Sequence, residues 1–155
     1  MTIGKVTDAV LTIDPTTGLY DINIDANGDI ETADFFDTSI LYGVYGERRA
    51  SKEEVLDARY RRGWIGNEGR DFENGSKLWL FENSRFTVSN FARIADEARK
   101  GQQNLVDDGF AVSIKVASVT IDTSKNKLIL ALDIKRSLDK VERRFFDLWE
   151  NTGTR

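Results

Sequence analysis

Apolar positions along this chain recur with two periods. Ala9-Val10-Leu11-Thr12-Ile13-Asp14 reads as a strand. Leu19-Tyr20-Asp21-Ile22-Asn23-Ile24-Asp25 alternates apolar and polar side chains, the mark of a half-buried strand. Between them, Asp14-Pro15-Thr16-Thr17-Gly18 is turn chemistry, because Pro presets φ and Gly accepts φ > 0. Asn27-Gly28 marks another turn, and Ile30-Glu31-Thr32 a short further strand. An N-terminal β-hairpin is expected from this pattern.

The period then lengthens. Asp34 is placed to cap a helix over Phe35 to Tyr45, with Phe36, Ile40 and Val44 on one face, Leu41 and Tyr45 beside them, and Gly46 in the left-handed position that ends it. Ser51-Lys52-Glu53-Glu54 has the spacing of a capping box for a short helix to Tyr60. A glycine-rich loop follows, so residues 51–74 read mostly as one long loop with Trp64 inside it. Trp64 is either a loop anchor or a partner contact, since Trp is favoured in binding hot spots. Ser76 is expected to cap a short helix, Lys77 to Glu82, that buries Leu78 with Phe81 or Trp79.

Thr87 caps the longest helix expected, Thr87 to Asp108. Its apolar face holds Phe91, Ala95, Ala98, Gln102 and Leu105, with Val88 and Ala92 beside them. The small Ala92, Ala95 and Ala98 suit close approach to a sheet. Arg93, Asp96, Glu97, Arg99 and Lys100 cover the other side, Gly101 weakens the middle, and Gly109 closes the segment. Two β-rich segments follow, Phe110–Asp122 and Lys127–Lys135. Val112 to Val116 alternate strictly, and the phase slips at Ala117-Ser118, which reads as a β-bulge. Thr123-Ser124-Lys125-Asn126 turns the chain. Leu128, Leu130, Leu132 and Ile134 form one face of the next strand, and Ile129 and Ala131 on the other face mark it as central or covered. Val141 to Trp149 fits helix and strand periods, and its aromatics favour a third strand or extended arm. The fold class expected is α+β. A small antiparallel or mixed sheet carries the long helix and one or two shorter ones. A single domain over 1–155 is expected, with a hairpin arm at 1–33 and a helix–sheet core at 34–155.

Composition narrows the chemistry. The chain of 155 residues has 40% apolar residues, enough for a packed core, and a net charge of −4. An acidic chain is a poor general binder of nucleic acid, so no nucleic-acid partner is expected. Basic pairs occur at Arg48-Arg49, Arg61-Arg62 and Arg143-Arg144. There is no cysteine and no histidine, which removes thiol nucleophiles, Cys/His zinc sites and the commonest general base. No apolar run approaches the ~20 residues that span a bilayer, and Met1 to Asp8 lack a signal-peptide pattern, so a soluble chain made in a cytoplasm, without a membrane partner, is expected. Gly63, Gly66 and Gly69 precede no Lys-Ser or Lys-Thr, unlike a phosphate loop. Asp25-Ala26-Asn27-Gly28-Asp29 is faintly like a calcium loop but lacks the flanking helices and terminal Glu. Asp107-Asp108 end a helix against its dipole, an unfavourable placement that a partner cation or water can offset. No catalytic residue, metal or cofactor is expected; strand edges and surface charges are the working parts.

Four phrases carry a resemblance. Gly46-Glu47-Arg48-Arg49-Ala50, Arg61-Arg62-Gly63-Trp64-Ile65-Gly66, Gly75-Ser76-Lys77-Leu78-Trp79-Leu80 and Asp107-Asp108-Gly109, in this order, resemble the Mu-type phage baseplate protein family, over about Asp21 to Trp149. That family is related to the baseplate wedge proteins that act as sheath initiators in contractile tails. The resemblance implies a structural protein of the virion tail baseplate, assembled in the host cytoplasm. It implies contacts with a larger wedge protein, with the first ring of tail sheath subunits, and with tail hub or tube proteins. An open sheet edge offers unpaired N–H and C=O groups to a neighbour's strand. The partner-binding residues expected are Arg48 and Arg49, which match the family's basic motif after the helix, with Trp64, Asp107 and Asp108. Related sheath initiators carry Glu-Pro-Arg before the hairpin, where this chain has Asp107-Asp108-Gly109-Phe110. That departure interrupts any carry-over of the motif's salt bridges.

Two alternatives stand beside this one. Some relatives of the family carry a lysozyme-like label, and a peptidoglycan hydrolase would need a raised-pKa acid facing a second carboxylate across a sugar cleft. A small adaptor domain of another complex is the other.

Overall fold

The computed structural model describes residues 7–13, 20–69, 73–137 and 140–150. Its contacts group the chain into two units, Met1–Leu41 and Tyr42–Arg155. The expected turn at Asp14 to Gly18 lies outside the described residues.

In the first unit the expected hairpin is present, with different bounds. The strand expected over Ala9 to Asp14 is two short strands, β1 (Thr7–Ala9) and β2 (Leu11–Ile13). β2 pairs antiparallel with β3 (Tyr20–Ile22), and β1 with β4 (Thr32–Asp34). Val10 is the switch, since its N–H donates to the Glu31 carbonyl (2.8 Å) and its own carbonyl accepts from Asn23 (2.9 Å). The strand expected at Ile30 to Thr32 therefore starts later, and Ile30 makes only an isolated bridge to Ile24. In the turn between them, Asp25 Oδ1 accepts from the Asn27 and Asp29 amides at 2.8 and 3.0 Å. Those amides, Asp29 first, hold the Asp25 carboxyl below its usual value. The calcium-like phrase is thus a hairpin turn whose aspartate is occupied by its own backbone. Asp34 Oδ1 accepts from Phe36 N–H (3.0 Å) at the start of α1 (Phe35–Tyr45). Phe36 and Ile40 on its predicted face are fully buried.

The second unit is built on one antiparallel sheet of order β5-β6-β7, made of β5 (Ser113–Asp122), β6 (Lys127–Ser137) and β7 (Lys140–Glu150). The sheet is antiparallel throughout, and the ambiguous C-terminal segment is its third strand. β6 is central, so its core face (Leu128, Leu130, Leu132, Ile134) is buried, and Ala131 on the opposite face is too. The phase slip reappears as a bulge between Val116 and Ser118 against β6.

The helix expected over Thr87 to Asp108 is interrupted. α2 (Val88–Gly101) and α3 (Gln103–Asp107) meet at buried Gln102. Thr87 caps α2, its hydroxyl accepting from Asn90 N–H (3.3 Å). The cause of the break is the crossing with α1. A Cβ on Gly101 would stand 2.3 Å from the Gly43 carbonyl oxygen, so the two backbones touch there. Of the expected face Ala98, Gln102 and Leu105 are buried; Ile94 joins them, while Val88 (84% exposed) and Ala92 face solvent. α2 packs against β5 and against a 3-10 turn, Leu78–Phe81.

Two further expectations are corrected and a third is refined. Gly46 does not adopt positive φ, although its N–H donates to the Tyr42 carbonyl (2.7 Å) at the end of α1. The Ser51–Glu54 capping box forms, with Ser51 N–H donating to Glu54 Oε2 (2.7 Å), but it closes one turn instead of a helix to Tyr60; the segment ends in a 3-10 turn, Ala58–Tyr60. The short helix expected after Ser76 forms as the 3-10 turn Leu78–Phe81. The buried hydroxyl of Ser76 donates to the Val44 carbonyl (3.0 Å) and accepts from Leu78 N–H (3.4 Å), and Leu78 and Phe81 fill the core while Trp79 is half-buried.

Candidate partner-binding surface

Three of the four motif phrases converge on one irregular ladder. Residues 46–50 lie at its centre. On one side Ser76 N–H donates to the Gly46 carbonyl (2.8 Å) and Arg48 N–H to the Ser76 carbonyl (2.9 Å). On the other, Trp64 N–H donates to the Glu47 carbonyl and Ala50 N–H to the Arg61 carbonyl, both at 3.0 Å. Gly75 is required at this crossing: its φ is +91° and a Cβ there would lie 2.5 Å from the Gly46 oxygen.

Side chains lock the ladder. Arg62 donates to Glu47 (2.9 Å) and to both oxygens of Glu82 (3.0 and 3.2 Å), and its guanidinium lies 4.9 Å from the Trp79 ring centroid. Trp79 Nε1–H donates to the Arg48 carbonyl (3.0 Å). Sequence reasoning singled out neither Arg62 nor Ser76 for these roles. The only local signal for Arg62 is the glycine after it; Arg62 itself takes φ +44°.

The expected contact residues have different fates. The Arg48 side chain is only 19% exposed and pairs with Glu97 (3.4 Å) and more loosely with Glu73 (3.9 Å). Arg49 is exposed; it donates to the Arg62 and Ala58 carbonyls at 3.3 and 3.5 Å. Trp64 stands edge-on to Tyr42, with centroids 5.1 Å apart, and closes over Gly66, yet is 41% exposed beside the more exposed Ile65. Asp107 accepts from Gln103 Nε2 (2.8 Å) on the last turn of α3, and Asp108, exposed, caps it. Arg48, Arg49 and Trp64 therefore share the ladder, while Asp107 and Asp108 belong to the end of α3.

A cleft of about 670 Å³ opens beside α2, lined by Glu53, Glu54, Asp96 and Glu97 among others. Three of these four carboxylates are tied to cations: Glu54 to Lys77 (2.7 Å), Asp96 to Lys100 (2.7 Å) and Arg99 (3.0 Å), Glu97 to Lys100 (2.9 Å) and Arg48. Lys100 and then Arg99 hold the Asp96 carboxyl below its usual value. Partial burial pushes Glu54 up, and the Lys77 and Ser51 hydrogen bonds outweigh it, so it too is lowered. A glycosidase acid needs the opposite shift, upward, to carry a proton at neutral pH.

Among the described residues β7 is hydrogen-bonded to a neighbour strand on one side only. Its outward residues include Val141 (57% exposed), Arg143 and Phe145 (67% exposed). Apolar side chains on an edge strand are unusual, because native edges are commonly blunted by charge, proline or cover. Tyr45 Oη donates to the Asp147 carbonyl (2.9 Å), which ties the end of α1 to this strand.

Baseplate protein gp46 of Escherichia phage Mu is 29% identical over 121 residues, covering 77% of this chain and 83% of the Mu protein. Residues 36–141 match the family described as phage protein GP46. That stretch takes in α1, the ladder, α2, α3 and most of the sheet, so the chain belongs to the GP46 family of phage proteins.

Proposed function

We propose that this protein is a structural component of a phage tail baseplate, located in the virion and assembled in the host cytoplasm. Within a contractile tail it joins the larger wedge protein to the first ring of sheath subunits, with tail hub and tube proteins nearby. The observation that carries this reading is β7, an edge strand with exposed Val141 and Phe145. A neighbour's strand added there gains main-chain hydrogen bonds and a place for its own side chains. Such pairing can persist while subunits pivot. Arg49, Trp64, Asp107 and Asp108 supply further contacts on this reading, and Arg48 ties the ladder to α2 through Glu97. The named relative is a baseplate protein, which supports the same role.

The test is co-expression of the whole chain with the adjacent tail genes, followed by imaging of the particles formed. Density for this chain at the baseplate, with a partner strand paired to β7, is the expected result. Particles that assemble completely without it, or clearing of a cell-wall suspension by the purified protein, would reject the reading in favour of an adaptor or a hydrolase.

A further inference from the structure

We propose that the free chain pairs β7 antiparallel with β7 of a second copy, about a two-fold axis at Phe145. The outer face of the strand identifies the occupant. Phe146 is buried opposite Leu130, so Val141, Arg143, Phe145 and Asp147 share the other face, and all four are exposed. This row is self-complementary: a cation stands two residues before the Phe145 ring and an anion two residues after it. In an antiparallel pair centred there, Phe145 lies opposite its copy, and Arg143 of each strand lies opposite Asp147 of the other. Aromatic pairs and opposite-charge pairs across strands both stabilise a sheet. One patch serves both copies, as a two-fold interface requires.

Other registers fail on the same charges. A centre at Arg143, Arg144 or Asp147 sets like charges face to face, and an in-register parallel pair does so at every charged position. Both charges of the matched row can still reach a partner. Arg143 donates to Asp133 through Nε and one terminal nitrogen (2.6 and 2.8 Å), which leaves further N–H donors. Asp147 is held loosely by Lys127, at 3.8 Å. Tyr45 Oη takes one lone pair of the Asp147 carbonyl and leaves the other. The matched stretch is short, well below the roughly 1,200–2,000 Å² of a stable interface, so the dimer is weak and a baseplate subunit can displace it. Until then it covers an edge that would otherwise invite aggregation. The proposal goes beyond the baseplate reading and does not depend on it.

The test is analytical ultracentrifugation of the whole chain, with cysteine trapping to fix the register. A monomer–dimer equilibrium is expected, mostly dimer at about 100 μM and mostly monomer at about 1 μM. Arg143→Asp and Asp147→Arg each set two like-charge pairs across the axis and should weaken dimerisation about tenfold. The two changes together should return it to within about threefold of the parent. Each reversal also disturbs Asp133 or Lys127 within the monomer, and the double variant keeps both disturbances, so its recovery separates lost contact from lost fold. The chain has no cysteine, so Phe145→Cys supplies a single thiol. Directly opposed Cα atoms, about 4.5–5.5 Å apart, are within disulfide reach, whereas Val141→Cys sets its two thiols roughly 27 Å apart. Phe145→Cys should therefore form a disulfide-linked dimer at least about tenfold faster than Val141→Cys. A chain still monomeric at about 100 μM overturns the proposal. So does a dimer indifferent to the charge reversals, or one that links as fast through Val141→Cys. Each of these outcomes leaves the baseplate reading standing.

Discussion

Arg48 and Arg49 are neighbours in one motif, yet the irregular ladder turns the first inward and leaves the second at the surface. The half-buried Arg48–Glu97 pair loses a desolvated partner when truncated, so Arg48→Ala should lower stability by about 1–3 kcal/mol. Arg49→Ala removes only exposed bonds and should stay within about 0.5 kcal/mol. Urea denaturation of both variants separates the two roles. A single carboxylate also reports on the sheet. The Arg143 guanidinium on β7 holds Asp133 on β6 below its usual value of 3.8, with bonds of 2.6 and 2.8 Å. A carboxylate lowered by folding contributes its full stability above the unfolded pKa and loses it as pH falls through the folded one. Acid titration followed by circular dichroism should therefore show a loss that sets in around pH 3.8 and is smaller in Asp133→Asn, by the share of this one pair.

Elements here yield to their neighbours. Replacing a helical glycine by alanine commonly adds about 1 kcal/mol to a helix. Gly101→Ala should instead destabilise, by about 1–3 kcal/mol, because the new methyl meets the Gly43 carbonyl oxygen. Denaturation gives the sign directly. In the sheet, Leu130 on central β6 faces Val119 on β5 and Phe146 on β7. Leu130→Ala should cost about 2–5 kcal/mol, and hydrogen exchange should rise along all three strands together. The capping box at Ser51 makes a related point. Its reciprocal bonds form as the residue types dictate, but no apolar stripe follows to bury a helix, so one turn is all that forms.

For the whole molecule, the exposed edge is what a baseplate role would use. Phe145→Asp puts a charge on the β7 edge without touching the buried face, so the isolated protein should keep its Tm while incorporation into particles falls severalfold, read by quantitative blotting of purified particles. The sequence by itself determined the strand alternation of β5 and β6, the bulge at Ala117, the caps Asp34 and Thr87, and the phrases that place the chain in its family. Each is a local property: a period of two, a hydroxyl or carboxylate three atoms from an amide, a fixed order of residues. Only the tertiary structure decided that Arg48 points inward, that the long helix breaks at Gln102, that Ile94 is buried while Val88 is not, and that β7 is an edge. Those outcomes depend on backbone contacts between segments far apart in the chain, the Gly43–Gly101 crossing and the ladder of residues 46–50, 61–64 and 75–76. No pattern within a few residues encodes how closely two distant segments will approach.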